Sequence, residues 1–289
     1  MIKLLLILLW ITNSSFAQQQ NSIPDQGWYI DSAFRVAWNF AGVCYRNKVY
    51  YRKVLSRDKQ NIMFQNSYLE TGVELGLAPF VKATAFVVWQ PILPLKFNVR
   101  VGYYKDLLGE HLVNGSNGSY NHGYLSFTGL NPNNITSDKI NTSILEVEFA
   151  PTLTLGGKVG AGALVFLYTP YMSFFYSPNM KEDQYKYFSR DSIVIKKNDI
   201  LWRHNFLFGY SMLNLGLTLG LSSSIQHIQS ISGVFRAGVF GAIAYEKISS
   251  KYPNLIPYTR VQIGTWVKDR YLQNLFVIQL ETGIKYKFK

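Results

Sequence analysis

A single cysteine, Cys44, stands in the 289 residues. No internal disulfide can form, so the chain must be held by its core, a membrane or partners. Charge is also sparse. Asp, Glu, Lys and Arg make up 16% of the sequence, against roughly 25% in a typical soluble domain. The deficit implies that much of the surface does not face water. Long hydrophobic runs are missing too: mean hydropathy is near zero, too low for a bundle of helices that would each need about 20 apolar residues. No CxxC, no HExxH and no Gly-rich phosphate loop between a strand and a helix occurs, so neither a metal site nor a cofactor is implied. Lys and Arg number 29 against 17 acidic residues. They are dispersed along the chain rather than clustered on one face, which argues against a nucleic-acid partner.

What is abundant is aromatic residues, 16% of the chain with 20 Tyr and 19 Phe, together with a strict alternation. In Asn214 to Gln226 the leucines Leu213, Leu215, Leu217, Leu219 and Leu221 fall on one face of an extended strand. Asn214, Gly216, Thr218, Gly220, Ser222 and Ser224 fall on the other, because successive side chains point to opposite sides. A soluble sandwich would pack the apolar face on a core; a membrane barrel would turn it to lipid and line its lumen with the polar face. The first residues bear on that choice. Lys3, the apolar run Leu4 to Ile11 and the ending Ser15-Phe16-Ala17 have the organisation of a secretory signal peptide cut after Ala17, and the run is too short to span a bilayer. Residues 18–28 read as a periplasmic leader, and residues 29–289 as one barrel domain of about 270 residues or slightly fewer.

Alternation recurs along the whole chain. Phe34, Val36, Trp38 and Phe40 oppose Arg35, Ala37 and Asn39, and an Arg46-Asn47-Lys48 turn is expected next. Leu69, Thr71, Val73, Leu75 and Leu77 oppose Glu70 and Glu74; Ala78-Pro79 breaks that run, since proline cannot serve a central ladder position. A strand from Phe80 to Trp89, a turn Pro91 to Pro94 and a very regular strand from Leu95 to Tyr104 follow. Leu145, Val147 and Phe149 oppose Glu146 and Glu148, and Gly156-Gly157 reads as a hairpin turn. Further strands carry Arg203, then Phe235 on the outward face opposite Arg236, then Arg260 and Lys268, and finally Phe276 to Phe288. Residues 106–141 and 171–198 lack the pattern and read as long external loops. The first holds glycosylation-type triplets at Asn114, Asn117, Asn134 and Asn141, which fit chance composition in a bacterial chain, and a short strand at Tyr124 to Phe127. The fold class is thus an all-β transmembrane antiparallel barrel of about twelve strands, with ten to fourteen open.

The chain ends Tyr286-Lys287-Phe288-Lys289. With the leader and the alternating strands, this ending resembles the closing strand of bacterial outer-membrane β-barrel proteins, except that Lys289 leaves the aromatic penultimate. The resemblance is one of structural class. It implies insertion into outer-membrane lipid by the barrel-insertion machinery, which reads a terminal aromatic.

The lumen face then carries Arg35, Lys96, Arg100, Lys158, Arg203, Arg236, Arg260, Lys268, Lys285 and Lys287 against Glu70, Glu74, Glu146, Glu148, Glu246 and Glu281. Paired carboxylates on one face are what acid/base catalysis needs, but cross-strand partners such as Lys96 and Arg100 offer a plainer explanation. The basic excess favours anions if water passes through. The expectation is a narrow channel or uptake pore for small, anionic solutes. Two alternatives stay open. One is a lipid hydrolase built on His204, or on His122 with Ser126; the other is a closed barrel acting in adhesion or assembly through its outer loops.

Overall fold

The computed structural model describes residues 26–38, 42–56, 67–77, 80–106, 111–113, 135–139, 143–180, 182, 185–188, 193–212, 214–249, 251–269 and 276–288. The signal peptide, most of the leader, His122, Ser126, the segment Tyr124 to Phe127 and the four triplet asparagines lie outside these.

The strands are β1 (Gly27–Trp38), β2 (Gly42–Ser56), β3 (Ser67–Leu77), β4 (Phe80–Ile92), β5 (Leu95–Asp106), β6 (His111–Val113), β7 (Ile135–Lys139), β8 (Ser143–Phe149), β9 (Thr152–Val159), β10 (Gly162–Tyr176), β11 (Tyr185–Phe188), β12 (Ile193–Lys196), β13 (Asn198–Met212), β14 (Leu217–Ile228), β15 (Ile231–Glu246), β16 (Leu255–Asp269) and β17 (Phe276–Lys287). β8 and β9 are two halves of one wall position. Both pair with β5 on one side and β10 on the other, with Ala150-Pro151 between them. β17 pairs with β1 from Tyr29↔Lys287 to Trp38↔Ile278, so the sheet closes into a barrel of twelve antiparallel wall positions. A second sheet of four strands, β12-β11-β6-β7, is built from the two long connections, which both leave the barrel at the end opposite β1's start and β17's finish.

The alternation has the reverse sense from a soluble protein. On β3, Glu74 is 2% exposed and its neighbour Leu75 is 59% exposed. The same inversion runs around the barrel: Val49, Val87, Val101, Val147, Phe208, Leu221, Val239, Ile263 and Leu280 all face outward. Nothing but an apolar medium rewards that arrangement, because each outward leucine or valine left in water forfeits about 1.5–3 kcal/mol of burial.

Four local expectations are corrected. Arg46-Asn47-Lys48 is no turn: the three lie inside β2, opposite Ala33, Ser32 and Asp31. Tyr45 and Val49 outward and Arg46 and Lys48 inward keep the period of two, which overrides the turn preference of Asn. Gly156 and Gly157 likewise sit within β9, opposite Val165 and Leu164. A Cβ on Gly156 would lie 2.7 Å from the Leu164 carbonyl oxygen, so this glycine serves close strand approach, and the chain reverses at Gly160, whose φ is +58°. The leucine strand begins only at Leu217, because Asn214, Leu215 and Gly216 form a turn with φ +67° at Gly216. Phe235 does not face outward. The register shifts between Gln226 and Ile228, and Phe235 joins an apolar cluster instead.

That cluster fills the loop end of the lumen. Phe80, Tyr104, Ile144, Phe175, Leu201, Ile228 and Phe235 meet there, and Ile195 of β12 is set among them at 0% exposure. Asp199 fixes the foot of this hairpin, accepting hydrogen bonds from the backbone N–H of Lys196 (3.1 Å), Ile200 (2.9 Å) and Ser230 (3.1 Å) and from the Ser230 hydroxyl.

Candidate functional site: two walls of one lumen

Inward-facing side chains between the two barrel ends fall into two regions. The first is built by β1–β5, β8, the end of β15 and the closing strands β16 and β17, where cations and carboxylates interlock. Arg52 is paired with Glu70, and Lys82 with Glu74. Glu74 also faces Lys48 at 3.5 Å and Arg100 at 3.9 Å, and Arg100 reaches Glu148 at 3.6 Å. Across the seam Arg46 lies 3.5 Å from both Asp31 and Glu281 and donates to the Tyr258 hydroxyl at 2.9 Å. Tyr258 in turn donates to Asp31 at 2.7 Å. Arg260 stands 3.5 Å from Glu281 and 3.8 Å from Glu246, and Lys285 2.6 Å from Glu246. Period two supplies this: the partners sit opposite or diagonal in register, as in Lys48↔Glu74, Arg52↔Glu70, Arg100↔Glu148 and Arg260↔Glu281. Glu146 is buried on the same face as Glu148. Lys96, on that face of β5, stands opposite Thr152, and Lys158 lies exposed two residues before the Gly160 turn.

The second region, on β10 and β13 to β16, is different. A cavity of about 300 Å³ is lined there by Thr169, Asn205, Ser222, Ser224, Gln226 and Gln262, with Gln279 and Arg35 from the seam and Arg203 and Arg236 among them. Among the described residues no aspartate or glutamate lines it. Arg35 donates to the Gln279 carbonyl at 2.7 Å, leaning away from Glu281, its register partner on β17. Arg203 lies over the Tyr171 ring at 5.6 Å. Arg236 is wholly buried, stacked at 4.9 Å on Trp266 and 5.3 Å on Phe235, and stands opposite Asp269 in register. Of these three guanidiniums Arg35 is exposed, Arg203 half-buried and Arg236 buried. Trp266 packs edge-on to Phe240 at 5.0 Å directly over Gly238, where a Cβ would come within 2.5 Å of the indole. Gln226 is 5% exposed; its amide nitrogen donates to Ser224 Oγ at 3.5 Å, and its Oε1 has no hydrogen-bond partner among the described residues.

The structure thus separates residues that share one face in the sequence. Glu70, Glu74, Arg100, Glu148, Arg260, Glu281 and Lys285 enter the interlocked wall, whereas Arg35, Arg203 and Arg236 surround the cavity. Sequence reasoning missed Arg46 and Lys48 by assigning them to a turn, and gave no face to Asp31, Arg52 or Lys82. It placed Ser224 on the polar face but assigned no role to the uncharged Asn205, Ser224, Gln226 and Gln262. Their signal was present, since each alternates with an apolar residue, but charge alone was being counted. His204 faces outward, its Nδ1 2.9 Å from the Tyr168 hydroxyl. Its partner is a tyrosine, and among the described residues no serine hydroxyl is hydrogen-bonded to it.

Closure, the outward apolar band and the polar interior define a β-barrel of the outer-membrane class. No protein-family model matches the chain, and no curated protein matches it. Solved structures similar to it include the β-domain of the Bordetella autotransporter BrkA, at 10% identity over 92% of this chain and 100% of that one, TM-score 0.49. The NanC porin aligns at 10% identity over 90% and 100%, TM-score 0.39. The translocator domain of the autotransporter NalP from Neisseria meningitidis aligns at 8% identity over 93% and 91%, TM-score 0.46. Likenesses at this level say nothing of what passes through this lumen.

Proposed function

We propose that this protein sits in the bacterial outer membrane, delivered through its signal peptide and inserted by the barrel machinery, and provides a narrow lumen for small anionic solutes. The observation that carries this reading is the cavity lined by Arg35 and Arg203, with no aspartate or glutamate among the described residues around it. A monoanion about 4 Å from one guanidinium gains on the order of 4 kcal/mol at an effective dielectric of 20. Beside the interlocked wall the same anion meets cations whose field is already cancelled by carboxylates. Refolded protein in a planar bilayer under a salt gradient tests this. The expected reversal potential is that of an anion-selective pore, and cation selectivity would overturn the reading.

A second reading, a closed barrel that works through its outer loops, is favoured by the apolar cluster around Ile195. An apolar constriction blocks ions by excluding water. Under the channel reading the β11–β12 hairpin must leave the mouth for conduction. Steady silence from verified folded protein, persisting in Ile195→Asp, would favour the closed barrel; openings that the substitution makes more frequent would favour the channel.

A further inference from the structure

The outer wall of the barrel is an apolar band, and Asn47 interrupts it. On β2 it points outward between Tyr45 and Val49, while Arg46 and Lys48 on either side point into the lumen. Its register partners are Ser32 on β1 and the exposed Leu75 on β3. The same strand gives its depth. Tyr51, four residues nearer the end away from the long loops, packs on Trp28 in the aromatic girdle there. Four residues of about 3.3 Å each, on a strand tilted by about 40°, put Asn47 about 10 Å from that girdle, close to the middle of an apolar band about 25 Å tall. The Ser32 hydroxyl donates to the Asn47 Oδ1, and no other hydrogen bond to this side chain is made among the described residues. Whichever way round the amide sits, one bond to a hydroxyl leaves at least one of its N–H groups without an acceptor. At this depth neither water nor a lipid head group supplies one, and an unmet N–H in hydrocarbon is costly. The acceptor has to come from protein.

Symmetry fixes which protein suits it. Copies of one chain in one membrane share depth and orientation, so a two-fold axis along the membrane normal sets Asn47 against Asn47 at equal height. A primary amide is self-complementary, since its N–H groups donate and its carbonyl keeps a lone pair beyond the one that Ser32 uses. The surrounding wall suits close approach. Ser32 is followed across the seam by Thr282 on β17 and Thr259 on β16, whose hydroxyls lie 3.2 Å apart, and outward Phe34, Leu280 and Ile284 flank this strip of small residues. We infer that the face around β1 and β2 is the interface of a homodimer in the membrane, its two Asn47 amides hydrogen-bonded to each other across the axis. The contact lies on the outer wall and is independent of what the lumen carries.

Sedimentation equilibrium of the refolded protein in density-matched detergent micelles should show a monomer-dimer equilibrium. Asn47→Leu is expected to weaken it about tenfold, as the loss of two interchain hydrogen bonds of the strength found in membranes; leucine suits a lipid-facing position, so the variant keeps its fold. Place is read separately in a Cys44→Ser background. Under copper-phenanthroline oxidation Asn47→Cys should give an interchain disulfide, because the two-fold axis brings the paired positions together. His204→Cys, on the outward face across the barrel, should give none. A protein that stays monomeric at every concentration would overturn the assignment. So would a dimer that Asn47→Leu leaves at full strength, or one that cross-links through His204→Cys and not through Asn47→Cys.

Discussion

The two walls of this lumen hold charges of the same kind and use them oppositely. Around Glu74 three cations, Lys48, Lys82 and Arg100, converge on one carboxylate that is almost wholly buried. Around the cavity, arginines face serines, amides and aromatic rings. The first arrangement leaves little net field in the lumen, but removing any member strands the others. The second sets its guanidiniums among neutral groups, where a passing solute can feel their field. Charge on the interlocked wall should matter to folding, and charge at the cavity to what the barrel admits.

The largest expected effect comes from breaking the first wall at its hub. Glu74→Gln leaves three inward cations without their common partner; breaking a buried ion pair by removing one member costs about 3–5 kcal/mol. The loss is to be read as a lower urea midpoint for unfolding from micelles. An unchanged midpoint would mean that the interlocking is incidental and that water already screens these groups.

Reversing one arginine on each wall separates the roles more sharply. Arg100→Glu sets a third carboxylate beside Glu74 and Glu148, so its main consequence should be lost stability, on the order of 3 kcal/mol or more. Arg203→Glu places a carboxylate where none of the described residues lining the cavity carries one. It should convert anion preference to cation preference in bilayer recordings while costing less stability than Arg100→Glu. If both variants change selectivity equally, the lumen has one electrostatic character and the division is wrong.

The twelve strands were legible in the sequence because lipid on one side and water on the other impose a period of two on nearly every wall residue, as Leu69 to Leu77 illustrate. What failed was reading local turn chemistry against that period. Asn47 and the Gly156-Gly157 pair are turn residues by type, yet sheet pairing claims them, since reversing the chain there would turn Arg46 and Lys48 away from Asp31 and Glu74. The Arg-Gln-Ser cavity was legible only in pieces. Alternation names the face of each residue but not its neighbours around the circumference. That Arg35 of β1 and Arg203 of β13 share a cavity depends on the closure of β17 onto β1 and the stagger of the strands. Phe235 fell to a register shift that no pattern announces.

The smallest effect offers the cleanest control. Arg260 and Arg35 both face the lumen and are both exposed to it, Arg260 at 51%. Arg260 lies between Glu246 and Glu281, and each keeps another partner if it goes: Lys285 holds the first and Arg46 the second. Pairs as open as this contribute about 0–1 kcal/mol. Arg260→Gln should therefore shift the urea midpoint little and leave ion preference where it was. Arg35 loses only the hydrogen bond to Gln279, so Arg35→Gln should be similarly mild for folding, yet it removes one of the guanidiniums that line the cavity. Reversal potentials measured side by side should move for Arg35→Gln and stay within error for Arg260→Gln. Equal movement would mean that an open lumen averages its charges, and that the carboxylates beside Arg260 do not shield it from the solute's path.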